Sequence, residues 1–240
     1  MTFPGTFAAW GPVSVLGPLG GGRRNEVLEL RLGGERLVGR RTRRSVASLD
    51  WELDLLDFLS GHGFLVPASV LTVDGRRHVG GVVVQRWLAG REPGTGDWPA
   101  VARELRRLHS LTAGWPQRPG FRSTTELLTA DRGGDVDLTA MPADAVAACR
   151  RAWAALGGPH SVVHGDPCAA NVRMSAAGIG LLDWDEARVD HPALDLADLP
   201  DLPGDGVAKS AVNAWEAAAG WRLEPAYARS RLAELTPPPD

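Results

Sequence analysis

A chain of 240 residues, 44% of them apolar, is long enough to bury a real core, in one domain or in two small lobes. Its formal charge of −3 arises from acids and bases scattered along the chain, without the basic stripe that nucleic acid or an anionic membrane would need, so neither is expected as a partner. No cation precedes Arg23, no apolar run approaches the roughly 18 residues of a membrane span, and Cys149 and Cys168 are too few for a disulfide framework, so the expectation is a cytoplasmic protein with free thiols.

Residues 13–16 predict a strand running into Gly17-Pro18-Leu19-Gly20-Gly21-Gly22, and residues 25–32 predict a second strand. Gly33-Gly34 supplies the positive φ angles of a tight hairpin, returning the chain into a third strand from Glu35 to about Arg41. Residues 49–59 read as a helix with Ser48 as N-cap and Gly61 just past its end. Two further strands are predicted, at 68–73 and 78–85, joined by a turn at Asp74-Gly75. From Asp97, placed to cap it, Trp98, Val101, Leu105, Leu108 and Thr112 fall on one helical face, and helical signals return at 124–131, 143–156 and 208–219. The Pro-rich end, 236–240, reads as frayed. Glycine-rich 86–96 separates the regimes, which divides the chain into a sheet-plus-helix lobe, 1–86, and a mostly helical lobe, 87–240.

The chemistry concentrates in His164-Gly165-Asp166-Pro167-Cys168-Ala169-Ala170-Asn171 and in Gly180-Leu181-Leu182-Asp183-Trp184-Asp185. Short apolar runs, Val162-Val163 before and Leu181-Leu182 within, fix these polar stretches on a rigid base. Asp166, an amide five residues on and a second Asp twelve after that offer hard oxygen donors of the kind Mg²⁺ prefers.

With these residues the chain resembles the aminoglycoside phosphotransferase family, whose loop reads H-G-D-x-x-x-x-N and whose metal motif reads I-D-W or similar; here they are His164-Gly165-Asp166 with Asn171, and Leu182-Asp183-Trp184. The resemblance implies an α+β, bilobal, protein-kinase-like fold and transfer of the terminal phosphate of ATP or GTP to a hydroxyl of a small molecule. It implies Asp166 as the base toward that hydroxyl, Asn171 and Asp183 as Mg²⁺ ligands, and His164 and Asp195 as structural supports of the catalytic loop. The nucleotide is expected between the lobes, with its base against the backbone from Gln85 through Trp87 to Leu88.

Other residues carry two readings. The glycines 17–22, with Gly20, Gly21 and Gly22 at the tip, either drape N–H groups over phosphates or form an ordinary hairpin, since the spacing is not the regular kinase one. Glu52 lies on the helix face of Leu49, Leu56 and Leu59, away from Asp50, Asp54 and Asp57, so it points inward and needs a cation. Lys209 is the only lysine, so that cation is an arginine: Arg40, at the position that pairs phosphates in the family, or Arg41 after a one-residue slip. His109 reads as a packed histidine rather than a ligand, and Asp185 and Glu186 either touch metal or acceptor or, the commoner case, are solvated carboxylates. The stretch 203–210 mimics a phosphate-binding loop, but Pro203 and Ala208 occupy its glycine positions, which dismisses it.

From Asp183 to Asp205 eight carboxylates face one base, Arg188, an acidic field that would favour a cationic acceptor if half of them were exposed. Alternative functions are a kinase-like protein that binds nucleotide without turnover and a metal-dependent phosphoesterase; the dispersed histidines argue against the second. A protein acceptor is disfavoured by the lack of a recognisable activation segment after Asp183.

Overall fold

The computed structural model describes residues 3–20, 25–158 and 160–235. The chain forms two compact units, residues 1–92 with 173–182 and residues 93–172 with 183–240. The regime change read at 86/87 thus lies a few residues before the division, and the hairpin between Asn171 and Asp183 groups with the first unit.

The first unit opens with a short helix α1 (Phe3–Thr6) and a 3-10 turn, Phe7–Trp10, followed by β1 (Ser14–Pro18), β2 (Glu26–Leu32) and β3 (Glu35–Arg41). Gly33 and Gly34, at φ 55 and 87, make the two-residue turn that pairs Leu32 with Glu35. A 16-residue helix, α2 (Val46–Gly61), precedes β4 (His78–Val79) and β5 (Val82–Arg86), and the sheet runs β1-β2-β3-β5-β4, antiparallel throughout.

Alternation assigns the two faces of this sheet. Leu28, Leu30 and Leu32 of β2, Leu37 of β3 and Val82 and Val84 of β5 turn toward Phe7 and Trp10. Gly39 lets the Phe7 ring lie against the strand backbone, where any Cβ would also strike Leu30 Cδ1. The opposite face presents Val83 to Leu49 and Leu53 of α2. Leu30, Leu37, Leu49 and Leu53, which are fully buried, each contribute roughly 1.5–3 kcal/mol of hydrophobic stabilisation.

Three local expectations are corrected. The helix begins at Val46, and Ser45 is its cap, its hydroxyl accepting the Ser48 N–H at 3.2 Å. Residues 68–73 do not form a regular strand; Pro67 has no N–H to give, and the segment touches β5 through one bridge, Ser69 to Gln85. The run 78–85 is broken by Gly80-Gly81, both at positive φ, which fold β4 back on β5.

The second unit contains α3 (Trp98–Leu111), the small hairpin β6 (Arg132–Gly133) and β7 (Val136–Asp137), α4 (Ala143–Ala154) and β8 (Ser161–Val163). The hairpin β9 (Val172–Ser175) and β10 (Gly178–Leu181) follows in sequence but joins the first unit, through bridges from Met174 to Arg91 and from Gly180 to Leu65. The second unit resumes with β11 (Arg188–Asp190), antiparallel to β8, then α5 (Gly206–Gly220) and α6 (Pro225–Ala233). Its core joins Cys149 and Trp153 of α4 to Ala211, Ala214, Trp215 and Ala218 of α5. Burial pushes the Cys149 thiol up to about 12, so it behaves as a small apolar group; both cysteines are free.

Asp97 flanks α3 but makes no side-chain cap to it; its carboxylate closes the preceding turn by accepting the Gly94 N–H at 2.7 Å. The helical signal at 124–131 yields only a 3-10 turn, Glu126–Leu128, preceded by a reciprocal cap in which Glu126 accepts the Ser123 N–H and Ser123 Oγ accepts the Glu126 N–H. The 203–210 stretch starts α5, with Asp205 accepting the Val207 and Ala208 N–H groups and Lys209 bound to Asp198 at 2.5 Å. The tail 236–240, read as frayed, lies outside the described residues. Among the described residues no helix is long and apolar enough to cross a membrane.

Candidate active site

Strand β8 is buried at all three positions and delivers the chain into the 164–171 loop. His164 is wholly buried, its ring 4.7 Å from that of Trp184 and its Nδ1 accepting the Asp166 N–H at 3.4 Å. Gly165 follows at φ 91, and a Cβ there would stand 2.7 Å from the Glu186 carbonyl oxygen. Only glycine therefore lets the loop press against the segment that follows Asp183.

The loop is pinned from below by Asp195, at the end of a 3-10 turn, Pro192–Asp195. Its carboxylate accepts the His164 N–H at 2.8 Å, the Gly165 N–H at 2.9 Å and a hydrogen bond from His109 Nε2 at 2.8 Å. Burial alone would raise the Asp195 carboxyl, but the His109 hydrogen bond and charge, reinforced by His164 and the Gly165 N–H, hold it below the usual carboxylate range. His109 of α3, read as merely packed, is thus a partner of the residue that fixes the loop.

Above this floor the acids are exposed. Asp166 Oδ2 accepts from Asn171 Nδ2 at 2.9 Å, and the same nitrogen reaches the Asp166 carbonyl at 3.0 Å. Both partners are acceptors, which fixes the amide with its NH₂ inward and leaves Asn171 Oδ1 as an acceptor. Asp183 is exposed, at φ 55 in the left-handed region, and is one of two such non-glycine residues among those described; the other is Asp201. A 3-10 turn, Trp184–Glu186, follows Asp183 directly.

Magnesium takes one or two carboxylates and completes its shell with water and phosphate oxygens. The Asp183 carboxylate and Asn171 Oδ1 fit that demand. The nearby Cys168 thiol, pushed up by burial and the Asp166 charge, is a soft donor of the kind magnesium does not favour. Among the described residues no three His, Cys, Asp or Glu side chains form a metal cluster.

In the first unit, Arg40 and Glu52 are buried together and share an ion pair. Arg40 pairs across the sheet with Val83, which faces α2, and so turns toward Glu52. Arg41 turns the other way, to exposed Glu26 at 3.4 Å. Gln85 is flanked by Val38 and Ser69 and gives its amide to the Pro67 carbonyl at 3.3 Å, so its backbone lies inside the sheet rather than at a free edge. Beyond the sheet end, the Trp87 ring lies under the Arg36 guanidinium at 3.4 Å. Gly20 is exposed with open space around it, whereas Gly21 and Gly22 lie outside the described residues.

The acidic stretch differs from its reading. Asp185, Asp190 and Asp195 are buried, so Asp185 is not a solvated carboxylate. Asp190 pairs with Arg188 at 2.9 Å, and Asp198 is shared by Lys209 and Arg231. Sequence reasoning also missed Arg118, buried in a loop between Pro116 and Pro119; the only signal was an arginine flanked by prolines with no acid beside it.

An antiparallel sheet with one long helix, a mostly helical second unit, and a strand-borne loop carrying Asp and Asn define a kinase-like α+β fold. Residues 15–233 match the phosphotransferase enzyme family (APH), and the chain belongs to that family. Similar solved structures include a thermostable mutant of aminoglycoside phosphotransferase APH(4)-Ia, with TM-score 0.67, 15% identity and 98% of each chain covered. A microcompartment-associated aminopropanol kinase gives TM-score 0.63 and 16% identity, covering 95% of this chain and 92% of the other. Amicoumacin kinase hAmiN, in complex with AMP-PNP, Ca²⁺ and Ami, gives 0.61 and 20%, covering 94% and 82%. No curated protein matches the sequence.

Proposed function

We propose that this protein is a small-molecule kinase of the cytoplasm, moving the terminal phosphate of ATP or GTP to a hydroxyl of an amine-bearing acceptor. The observation that carries the reading is the exposed Asp166 carboxylate, oriented by Asn171 on a loop whose backbone is fixed by buried Asp195. Oriented through Oδ2 by Asn171, the Asp166 carboxylate would accept the proton of the acceptor hydroxyl as its oxygen bonds to phosphorus and the bond to the nucleoside diphosphate breaks. Asn171 Oδ1 and Asp183 would hold Mg²⁺, which when bound offsets the charge of the phosphates. Arg40, kept in place by Glu52, is the candidate phosphate cation of the first unit, with Gly20, Gly21, Gly22 and the Trp87 backbone as further nucleotide contacts. An amine-bearing acceptor is supported by the aminoglycoside and aminopropanol enzymes that share the fold, and an adenine nucleotide with a divalent ion by the AMP-PNP and Ca²⁺ of the amicoumacin kinase complex.

Purified protein is to be offered ATP and GTP with a panel of amino alcohols and aminoglycosides, and phosphorylated product measured. Nucleotide binding without product on any acceptor would favour the nucleotide-binding protein without turnover. Phosphoester hydrolysis without nucleotide would favour the phosphoesterase.

A further inference from the structure

The segment after Asp183 is held by a device on a different part of the chain. Arg118 is 1% exposed, and its Nη1 donates to three consecutive-turn carbonyls, those of Trp184 at 2.9 Å, Asp185 at 3.1 Å and Ala187 at 3.1 Å. Its guanidinium lies 4.7 Å from the Phe121 ring centre, which limits how the fork can turn. The preceding side chain continues the grip. Gln117 Nε2 donates to the Val189 carbonyl at 2.8 Å, and its Oε1 accepts the Val189 N–H at 3.0 Å, as a neighbouring strand would. Two adjacent side chains thus fasten the backbone from 184 to 189.

This grip bears on Asp183 because of backbone geometry. A left-handed aspartate is tolerated at a cost on the order of 1 kcal/mol, so the backbone that follows decides how firmly it is kept there. Two of the carbonyls bound by Arg118 belong to the turn that begins one residue later, and the third, of Ala187, closes it. A flexible turn would let Asp183 relax toward ordinary φ and swing its carboxylate. The planar fork of a buried guanidinium can hold several carbonyls of one turn at once, which is suited to fixing the direction of the side chain that precedes it.

We propose that Gln117 and Arg118 are positioning residues for magnesium binding, acting through the backbone that aims Asp183. The inference rests on the phosphotransferase reading. Partners behind a metal ligand typically shift metal affinity by about 10–100-fold. Arg118→Lys keeps the charge but lacks the planar fork, and Gln117→Ala removes the clamp on Val189 together with its contacts to the Arg118 N–H at 2.8 Å and to Glu126 Oε2 at 3.3 Å.

The experiment is calorimetric titration of ATP and GTP into wild type and both variants, across a Mg²⁺ series and in chelator, with thermal unfolding alongside. The expected result is a Mg²⁺ requirement raised about tenfold or more in Arg118→Lys and by a smaller factor in Gln117→Ala, with nucleotide affinity in chelator kept. An equal loss of affinity with and without Mg²⁺ would reduce Arg118 to a general structural residue and overturn the proposal. An unchanged Mg²⁺ requirement in folded Gln117→Ala would also overturn it, even if Arg118→Lys failed to fold. A wild type that binds nucleotide with no Mg²⁺ dependence would instead remove the phosphotransferase reading beneath it.

Discussion

On the upper side of the 164–171 loop Asp166 and Asp183 stand open to solvent, while on its underside Asp195 is sealed from it, as is Asp190 on the strand that pairs with β8. Asp195 gathers three donors and Asp190 holds Arg188, which itself lies 3.3 Å over the Trp215 ring. Desolvation lowers the Arg188 pKa, and Asp190 and Asp195 oppose that shift. The same residue type therefore has two uses within a few residues of sequence. A carboxylate in water is available for a proton or a cation, whereas a fully bonded buried one converts its desolvation cost into backbone position.

The sharpest division of these uses is between Asp166 and the residues that hold it. Asp166→Asn is expected to lower the single-turnover rate by about 10²–10⁴-fold while leaving Mg-nucleotide affinity nearly intact. Asp183→Asn is expected to weaken the metal-dependent part of nucleotide binding and abolish turnover together. Calorimetry with both variants, beside single-turnover assays on any accepted substrate, decides this. An Asp166 variant that loses affinity as badly as the Asp183 variant would make Asp166 a metal ligand. One with an unchanged rate would remove the mechanism.

The underside should answer in stability. Asp195→Ala leaves the His164 and Gly165 N–H groups and His109 without their acceptor, and removal of one partner from such a buried set costs about 3–5 kcal/mol. Because the folded Asp195 pKa is depressed, its contribution is fully present above the unfolded value near 3.9 and is lost as pH falls through the folded one. Urea unfolding at neutral and acid pH should therefore show the gap between wild type and Asp195→Ala narrowing below about pH 4. A gap that widens in acid would mean that the native carboxyl is held neutral.

Which of these features the sequence discloses depends on whether the partner is periodic or remote. Arg40 and Glu52 are legible because a strand repeats every two residues and a helix about every 3.6, so burial on one face implies burial on the other. His164-Gly165-Asp166 and Asn171 are legible as a motif, though the need for Gly165 becomes physical only once the Glu186 carbonyl is seen beneath it. Gln117 and Arg118 are not legible, because their acceptors are main-chain atoms 66 to 72 residues away, and every residue offers such atoms. The early start of α2 was hidden for a local reason: Ser45 and Ser48 are both cap residues, and exposed Val46 adds nothing to the apolar period.

The periodic pair yields the next effect in size. Arg40→Ala should weaken nucleotide binding far more than Arg41→Ala, whose ion pair with Glu26 is exposed and worth up to about 1 kcal/mol. Because Arg40→Ala also strands a buried carboxylate, its stability will fall as well. Adding Glu52→Gln separates the two losses: unfolding midpoints should recover while nucleotide affinity, read by calorimetry, stays low. Equal effects of the two arginine variants on affinity would place the phosphates on the other face of β3.

The smallest expected effect concerns long-range charge on the upper side. Of the eight carboxylates between Asp183 and Asp205, three are buried, Asp198 is held by Lys209 and Arg231, Asp205 caps α5 and Asp201 accepts the Gly96 N–H. Half of the eight, Asp183, Asp198, Asp201 and Asp205, are exposed, but Asp198 is offset by two cations, so the field that remains is weak and recognition of an amine rests on individual carboxylates at contact distance, which salt screens little. Raising ionic strength from about 0.05 to about 0.3 M should therefore shift KM for an aminated acceptor by less than about threefold, since the screening length already lies near 10 Å at 0.1 M. Steady-state assays on an amine and its neutral hydroxyl analogue provide the measure. A steep salt dependence confined to the amine would restore the acidic field that the burial of Asp185, Asp190 and Asp195 argues against.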